Sequence, residues 1–193
     1  TAAIYYNEKH RPLGYVAYSI ENEHFNIKEL VYLNQEARHG LWNYISAHFS
    51  MITDVRGYNY TGEPLAFLLD ESQIQETIEP YFMARIVDVA QFLRLYPFEG
   101  SIRPFHFVVT DPMAEWNNGI FSVATDREGT VSVTDEPAGK AVELDIQTLS
   151  AMLMGYKRPS YLARIERLHT DKRTLRLLEE IIPDGQPYFS DYF

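Results

Sequence analysis

Residues Tyr81–Val89, near the middle of the chain, mark a change in the spacing of apolar side chains. The segment itself is apolar and typical of a strand, whereas the apolar residues that follow recur at helical spacing: Val89, Phe92, Leu93 and Tyr96. Asp88 stands where it can cap this helix, and Pro97 stands where it would end it. The pattern therefore predicts two modules that meet here, residues 1–79 and 80–193.

The first module has the pattern of an α/β domain. Period-two apolar runs separated by short polar turns predict an antiparallel meander, followed by a helix and a further strand. The predicted strands are Ala2–Tyr6, Gly14–Ile20, Phe25–Leu33 and Thr53–Tyr60. Asn34 is the predicted cap of the main helix, whose apolar face runs from Ala37 to Ile52. A short apolar helix is predicted at Leu65–Leu69.

The second module places its strands first and its helices last, which indicates an α+β domain. Its predicted strands are Phe105–Thr110, Ile120–Thr125, Thr130–Thr134 and Lys140–Leu144, with a hairpin turn at 126–129. Three helices are predicted after these strands, beginning at Asp145, Ser160 and Asp171. The second of them would carry Leu162, Ile165 and Leu168 on one face.

The chain has a net charge of −10. Such a surface repels nucleic acid and anionic membranes and attracts a cationic ligand, so neither nucleic acid nor a membrane is an expected partner. The alternative is that the acidity only maintains solubility.

Several kinds of site are excluded by what the sequence lacks. There is no cysteine among the 193 residues, which excludes disulfides and thiolate sites and suits a cytoplasmic protein. The six histidines are scattered and predict no metal site. No Gly-x-Ser-x-Gly or Gly-x-Gly-x-x-Gly motif occurs, and Gly40 falls inside a predicted helix, where it cannot expose a row of N–H groups to a pyrophosphate. No apolar run is long enough for a membrane span.

The last seven residues, Pro187–Phe193, contain four aromatic side chains. Exposure of four rings would be unfavourable, so we expect this tail to pack against other parts of the protein. Packing would remove the α-carboxylate of Phe193 from water, and desolvation raises the pKa of a carboxyl and makes it a better proton acceptor. The alternative is a hydrophobic latch without chemistry.

Five segments of the sequence, in order, resemble the C-terminal half of the enhanced-intracellular-survival (Eis) type N-acetyltransferases. The segments are Pro12–Tyr18, Ile27–Leu30, Glu36–Trp42, Met83–Val89 and Val142–Asp145, together with a chain that ends in Phe. The resemblance implies a degenerate GNAT-like domain with a mixed sheet and helices, followed by an α+β domain of sterol-carrier-protein-2 type. Because the chain begins at Thr1, we expect it to be the later part of a longer polypeptide.

The resemblance implies transfer of an acetyl group from acetyl-CoA to a primary amine of aminoglycoside, polyamine or lysine type. In the family, acetyl-CoA binds an upstream catalytic GNAT domain, so no cofactor-binding residue is expected here and the fragment alone would be inactive. The α-carboxylate of Phe193 would be the general base. Asp88, Glu29, Asp191 and Tyr192 would contact the cationic acceptor, although Tyr192 stands where some relatives have an acid. The resemblance also implies a homo-oligomer, a hexamer.

These assignments have structural alternatives. Asp88 can be a helix cap and nothing more, Glu29 a solvated strand residue, and Arg85 is expected to be a structural ion-pair partner. For the chain as a whole, the alternative is a non-catalytic module that binds an apolar ligand or mediates assembly. A lipid carrier should have a deep, uncharged tunnel, whereas an acceptor site should be an open acidic cleft.

Overall fold

The computed structural model describes residues 1–59, 65–69, 73–79, 82–100, 102–125 and 130–187. These residues fall into two units, Thr1–Ile74 and Gln75–Phe193, each with a sheet and an apolar core of its own. The predicted hairpin turn at 126–129, Tyr81 and the last six residues lie outside the described residues.

In the first unit the predicted meander forms three strands of a four-stranded sheet. The strands, in spatial order, are β1 (Ala2–Tyr6), β2 (Pro12–Glu21), β3 (His24–Tyr32) and β4 (Asp54–Gly57). The first three pair antiparallel, and β4 pairs parallel to β3 because the helix α1 (Gln35–Ser46) connects them. The inward face of the sheet and α1 share the core residues Val16, Tyr18, Phe25, Leu41 and Ile45.

Helix α1 begins as predicted but ends early. Asn34 caps it, because its Oδ1 accepts a hydrogen bond of 2.9 Å from the Ala37 N–H. The helix stops at Ser46 rather than continuing to Ile52. Beyond it the N–H groups of His48 and Phe49 bond to carbonyls three residues earlier, Ile45 O and Ser46 O, which is the pattern of a 3₁₀ turn rather than of an α-helix. A short helix, α2, follows at Leu65–Leu68.

The second unit has a five-stranded mixed sheet. Its strands are β5 (Phe105–Thr110), β6 (Gly119–Thr125), β7 (Val131–Thr134), β8 (Lys140–Asp145) and β9 (Leu168–His169). The spatial order is β7-β6-β5-β8-β9, and β5 and β8 pair parallel. Alternation on β5 turns Phe105, Phe107 and Val109 into the core.

In the described part of this unit the sheet is accompanied by four helices and one 3₁₀ turn. They are α3 (Val89–Leu95), the 3₁₀ turn Glu115–Asn117, α4 (Ile146–Leu153), α5 (Pro159–Arg164) and α6 (Lys172–Ile181). The predicted caps Asp88, Asp145 and Asp171 are confirmed, since each side chain accepts a bond from a backbone N–H of the helix that follows it. Throughout the described ranges, every helix is too short or too polar to span a bilayer.

Two predictions for the second unit are wrong. Residues 82–87 form no strand. At the end of this segment the Ile86 N–H and the Val87 carbonyl bond to side chains rather than to a neighbouring strand. The helix predicted to run from Ser160 through Leu168 ends at Arg164, because Glu166 adopts a φ of 59° and Arg167 N–H then bonds back to Leu162 O. Leu168 therefore lies in β9.

Candidate functional site

Asp88 is an exposed carboxylate at the start of α3. One of its oxygens, Oδ1, accepts a hydrogen bond of 2.9 Å from the Gln91 N–H, which is the cap predicted from sequence. Among the residues that the structure describes, no group bonds to the second oxygen. Asp88 is therefore a helix cap that also presents a negative charge to solvent.

The backbone on both sides of Asp88 is held by the 3₁₀ turn Glu115–Asn117. The Val89 N–H donates to Asn117 Oδ1 at 3.0 Å, and Asn117 Nδ2 donates to Val87 O at 3.0 Å. Trp116 Nε1 donates to the same carbonyl at 2.8 Å. Asn117 itself is fully buried. The position of Asp88 is thus set by bonds to its two chain neighbours.

Arg85 is paired with a buried carboxylate, Asp111, as its expected structural role requires. Arg85 Nη2 lies 2.6 Å from Asp111 Oδ2, and Asn117 Nδ2 donates to the same oxygen at 3.0 Å. The other oxygen accepts from the N–H groups of Met113 and Ala114. Burial raises the pKa of the Asp111 carboxyl, but the bonds from Asn117, Met113, Arg85 and Ala114 outweigh it and lower the pKa to about 2.

The segment is anchored from the helical side as well. Ile86 is buried, and its N–H donates to Ser150 Oγ at 3.1 Å. Ser150 Oγ in turn donates to Ile146 O inside α4. Because residues 85, 86, 87 and 89 each have a partner, the exposed Asp88 stands on a backbone that is fixed at both ends.

Three apolar side chains lie exposed beside this segment. The exposed fractions are 65% for Val87, 81% for Met113 and 67% for Trp116. Met113 Sδ is 4.0 Å from Arg85 Nη1, and Trp116 Nε1 donates to Val87 O, so each lies against the segment 85–87. The surface around Asp88 is therefore partly apolar and suits an amine that carries hydrocarbon.

Glu29, the other carboxylate predicted to contact an acceptor, lies in the first unit. It is exposed on β3, and its side chain accepts a hydrogen bond from Tyr15 on β2, which raises the pKa of the Tyr15 hydroxyl. Its carboxylate is therefore already engaged by a neighbouring side chain, as a solvated strand residue can be.

The remaining predicted site residues, Asp191, Tyr192 and Phe193, lie outside the described residues. The end of α6 and the residues just after it are bonded to Arg158 and Glu99. Arg158 donates through Nη1 to the carbonyls of Ile182 and Pro183 and through Nη2 to Glu179 O, and it pairs with the Glu179 carboxylate at 2.8 Å. The Glu99 N–H donates to Ile181 O at 2.8 Å.

The N-terminus of α1 is a place where a phosphate group could bind to backbone N–H groups, but it carries a cap and a carboxylate. The N-terminus of α1 is capped by Asn34 and carries Glu36, whose carboxylate accepts from the Tyr5 hydroxyl at 2.9 Å. Gly40 lies inside the helix with the Tyr5 ring against it. An anionic pyrophosphate placed at this N-terminus would lie near the Glu36 carboxylate, which repels it.

Sequence reasoning missed Asn117, Trp116 and Asp111 as parts of this site. The dipeptide Asp111-Pro112 and the run Asn117-Asn118-Gly119 have the composition of turns. In the structure the first precedes the 3₁₀ turn, and the second starts at the last residue of that turn and leads into β6, which begins at Gly119. The available signal was the density of side chains that bond to backbone groups, four Asp, Asn or Trp residues within eight positions. Their partner across 28 residues, the Val87–Val89 backbone, could not be identified from spacing.

Two consecutive parts of the chain match two families. Residues 1–86 match the acetyltransferase (GNAT) domain, and residues 89–190 match the sterol carrier protein domain. No curated protein gives a significant match to the chain.

Solved structures have a similar fold over nearly the whole chain. A probable N-acyltransferase of unknown function from Enterococcus faecalis V583 has a TM-score of 0.89 and 32% identity over 100% of this chain and 49% of its own. A GCN5-related N-acetyltransferase from Anabaena variabilis has a TM-score of 0.76 and 25% identity, over 93% of this chain and 47% of its own. Eis1 from Mycobacterium abscessus has the same fold, with a TM-score of 0.70 and 20% identity over 93% of this chain and 48% of its own.

The chain thus spans about half the length of the structures that it resembles. Its fold is a GNAT-like domain followed by a sterol-carrier-like domain. With more than half of its residues in the second match, the chain belongs to the sterol carrier protein domain family, in the form that carries a GNAT acetyltransferase domain in front.

Proposed function

We propose that the chain is the acceptor-binding part of an acetyl-CoA-dependent N-acetyltransferase that acts on primary amines. The GNAT domain match and the N-acyltransferase structures support acyl transfer. The observation that carries the choice of an amine acceptor is Asp88, an exposed carboxylate with one free oxygen among the described residues, on a backbone fixed at both sides. The acceptors would be polyamines, aminoglycosides or lysine side chains.

The chemistry requires a carboxylate near the amine for two reasons. An amine is a cation at neutral pH, so a carboxylate binds it, and the net charge of −10 attracts it from solution. The ammonium must then lose a proton before its nitrogen can attack the thioester carbonyl, which requires a proton acceptor. Asp88 would serve the first step and the α-carboxylate of Phe193 the second, with Glu29, Asp191 and Tyr192 as further acceptor contacts.

Acetyl-CoA would bind an upstream GNAT domain of the same polypeptide. The N-terminus of α1 in this chain is capped by Asn34 and carries Glu36, which supports binding of acetyl-CoA by another domain. In this proposal the chain alone is inactive, and the boundary between its two modules lies between residues 79 and 80. The intact polypeptide works in the cytoplasm as a homo-oligomer, and the family resemblance makes that oligomer a hexamer.

Substitution of Asp88 by Asn tests the role of its charge. Asn caps a helix about as well as Asp, so Asp88→Asn removes the charge and leaves the cap. We expect KM for spermidine to rise about tenfold in the intact polypeptide, with a smaller change in kcat, because a binding interaction of ~1.4 kcal/mol is lost. The matched control is Asp171→Asn, the same change at the cap of α6, which should leave KM unchanged. Equal KM values for wild type and Asp88→Asn would contradict an acceptor role for Asp88.

Extension of the chain by one Gly after Phe193 tests the general base. The extension moves the terminal carboxylate by one residue, roughly 3.3–3.6 Å, and replaces it at Phe193 by a neutral amide. We expect kcat for acetyl transfer to fall at least a hundredfold, within the usual contribution of a positioned proton acceptor. Unchanged kcat on spermidine or an aminoglycoside would remove Phe193 from the mechanism.

A non-catalytic carrier module is the second candidate. A cleft of about 450 Å³ between α3 and the strands β6 and β7 is lined by Ala90, Ile120, Phe121 and Val133, which favours an apolar ligand, but Arg94 and Asp135 also line it. A carrier would bind a fluorescent fatty acid with saturation and would show no acetylation of amines in the intact polypeptide.

A further inference from the structure

Asn117 connects the two residues that flank Asp88. Its Oδ1 accepts from the Val89 N–H at 3.0 Å, and its Nδ2 donates to Val87 O at 3.0 Å and to Asp111 Oδ2 at 3.0 Å. The side chain is fully buried, and it uses its acceptor and both of its donors. No other residue type of similar size offers an acceptor and two donors in this geometry.

The direction of the Asp88 carboxylate follows from these bonds. Its Oδ1 is committed to the Gln91 N–H, so the free oxygen can be redirected only by a change in the backbone of Asp88. That backbone is extended, with φ −130° and ψ 104°, and lies between the two groups that Asn117 holds. Trp116 Nε1 bonds to Val87 O from the same turn but does not reach Val89.

We propose that Asn117 is a positioning residue, which fixes the direction in which Asp88 meets the ammonium group of the acceptor. The proposal rests on the proposed function, because it assigns Asn117 no contact with the acceptor and lets it act only through Asp88. In this arrangement Asp111 and Arg85 have a supporting role: Asp111 Oδ2 accepts from Asn117 and is neutralised by Arg85.

A double-mutant cycle between Asn117 and Asp88 tests the proposal in the intact polypeptide. Asn117→Ala should raise KM for spermidine about fivefold when Asp88 is present and less than twofold in the Asp88→Asn background, with kcat changed less than KM. A residue that acts through Asp88 has no further effect once the charge of Asp88 is gone.

Two variants separate positioning from stability. Ser122 is buried elsewhere in the second unit, and Ser122→Ala removes its bonds to the Ala138 N–H and the Glu136 carbonyl. This variant should lower Tm without changing KM. Trp116→Phe keeps an aromatic ring but removes the hydrogen bond from Nε1 to Val87 O. It is a milder variant for use if Asn117→Ala does not fold. The rise in KM that it causes should also depend on the presence of Asp88.

The failures of the two proposals differ. Two results would overturn the positioning role and leave the proposed function standing, provided that Asp88→Asn raises KM. One is an unchanged KM for both Asn117→Ala and Trp116→Phe. The other is a rise in KM by the same factor whether residue 88 is Asp or Asn. An unchanged KM for Asp88→Asn itself would contradict the acceptor role of Asp88, and the positioning role with it.

Discussion

Asp111 shows how a single buried charge organises the surface near it. Its carboxylate accepts from Arg85, Asn117 and two backbone N–H groups, and through Asn117 it reaches the backbone of Val87. Removal of the Asp111 carboxylate would leave its buried donors without an acceptor. The resulting loss of folding free energy is larger than the contribution of the hydrogen bonds themselves. Substitution of Asp111 should therefore disturb a segment 26 positions away in sequence.

The stability due to Asp111 should depend on pH in a defined window. The pKa is about 2 in the folded protein and close to 3.8 in the unfolded chain, so the folded state favours the ionised form. This contribution is complete above about pH 4 and is lost as pH falls towards 2. We expect Asp111→Asn to lower Tm by several degrees at pH 7, measured by circular dichroism, and the difference from wild type to narrow between pH 4 and pH 2. A difference that stays constant over this interval would contradict the ionised state of Asp111.

At this scale the sequence was informative about local roles only. The cap formed by Asp88 and the structural ion pair of Arg85 were predictable, because a cap depends on three or four adjacent residues and Arg85 carries an isolated cation in an apolar segment. The partner of Arg85 and the bonds of Asn117 were not predictable, because they join residues 26 to 30 positions apart.

Helix α1 contains a glycine because of what packs on it. A Cβ on Gly40 would overlap the Tyr5 ring, and Tyr5 is fixed there by its bond to Glu36. Replacement of an interior Gly by Ala ordinarily stabilises a helix by about 1 kcal/mol. Here the side chain at position 40 would force Tyr5 off the helix.

Gly40→Ala should therefore destabilise the first unit by about 1–2 kcal/mol, the usual cost of overpacking. In a Tyr5→Ala background the same change should instead stabilise it by about 0.5–1 kcal/mol, since the clash is gone and the helix propensity remains. Urea unfolding of the four variants measures both values. Stabilisation by Gly40→Ala with Tyr5 in place would show that the ring does not pack on the helix.

Among elements, the error at residues 82–87 is the most instructive. An apolar, β-branched run with extended geometry is typical of a strand, but a strand also needs a partner for its backbone groups. Here side chains bond to the backbone at the end of the segment: Ser150 accepts from the Ile86 N–H, and Trp116 and Asn117 donate to Val87 O. The sequence could indicate an apolar segment of the kind that strands favour, but not which groups would bond to its backbone.

For the whole molecule, the order of elements was enough to predict the class of each unit. Strands followed by helices in the second unit, and a meander with a crossover helix in the first, gave the α+β and α/β assignments that the domain matches bear out. The tail and its carboxylate remain predictions, because Asp191, Tyr192 and Phe193 lie outside the described residues. The boundary between residues 79 and 80 is likewise still a prediction.

The central claim is that this chain serves the acceptor and leaves acetyl-CoA to another domain. Isothermal titration of the chain with acetyl-CoA tests it directly, with a longer polypeptide that carries the proposed upstream GNAT domain as the positive control. Because Asn34 and Glu36 occupy the N-terminus of α1, we predict heats equal to those of dilution for the chain alone and saturable binding for the control. Saturable, one-to-one binding of acetyl-CoA by the chain alone would contradict the account.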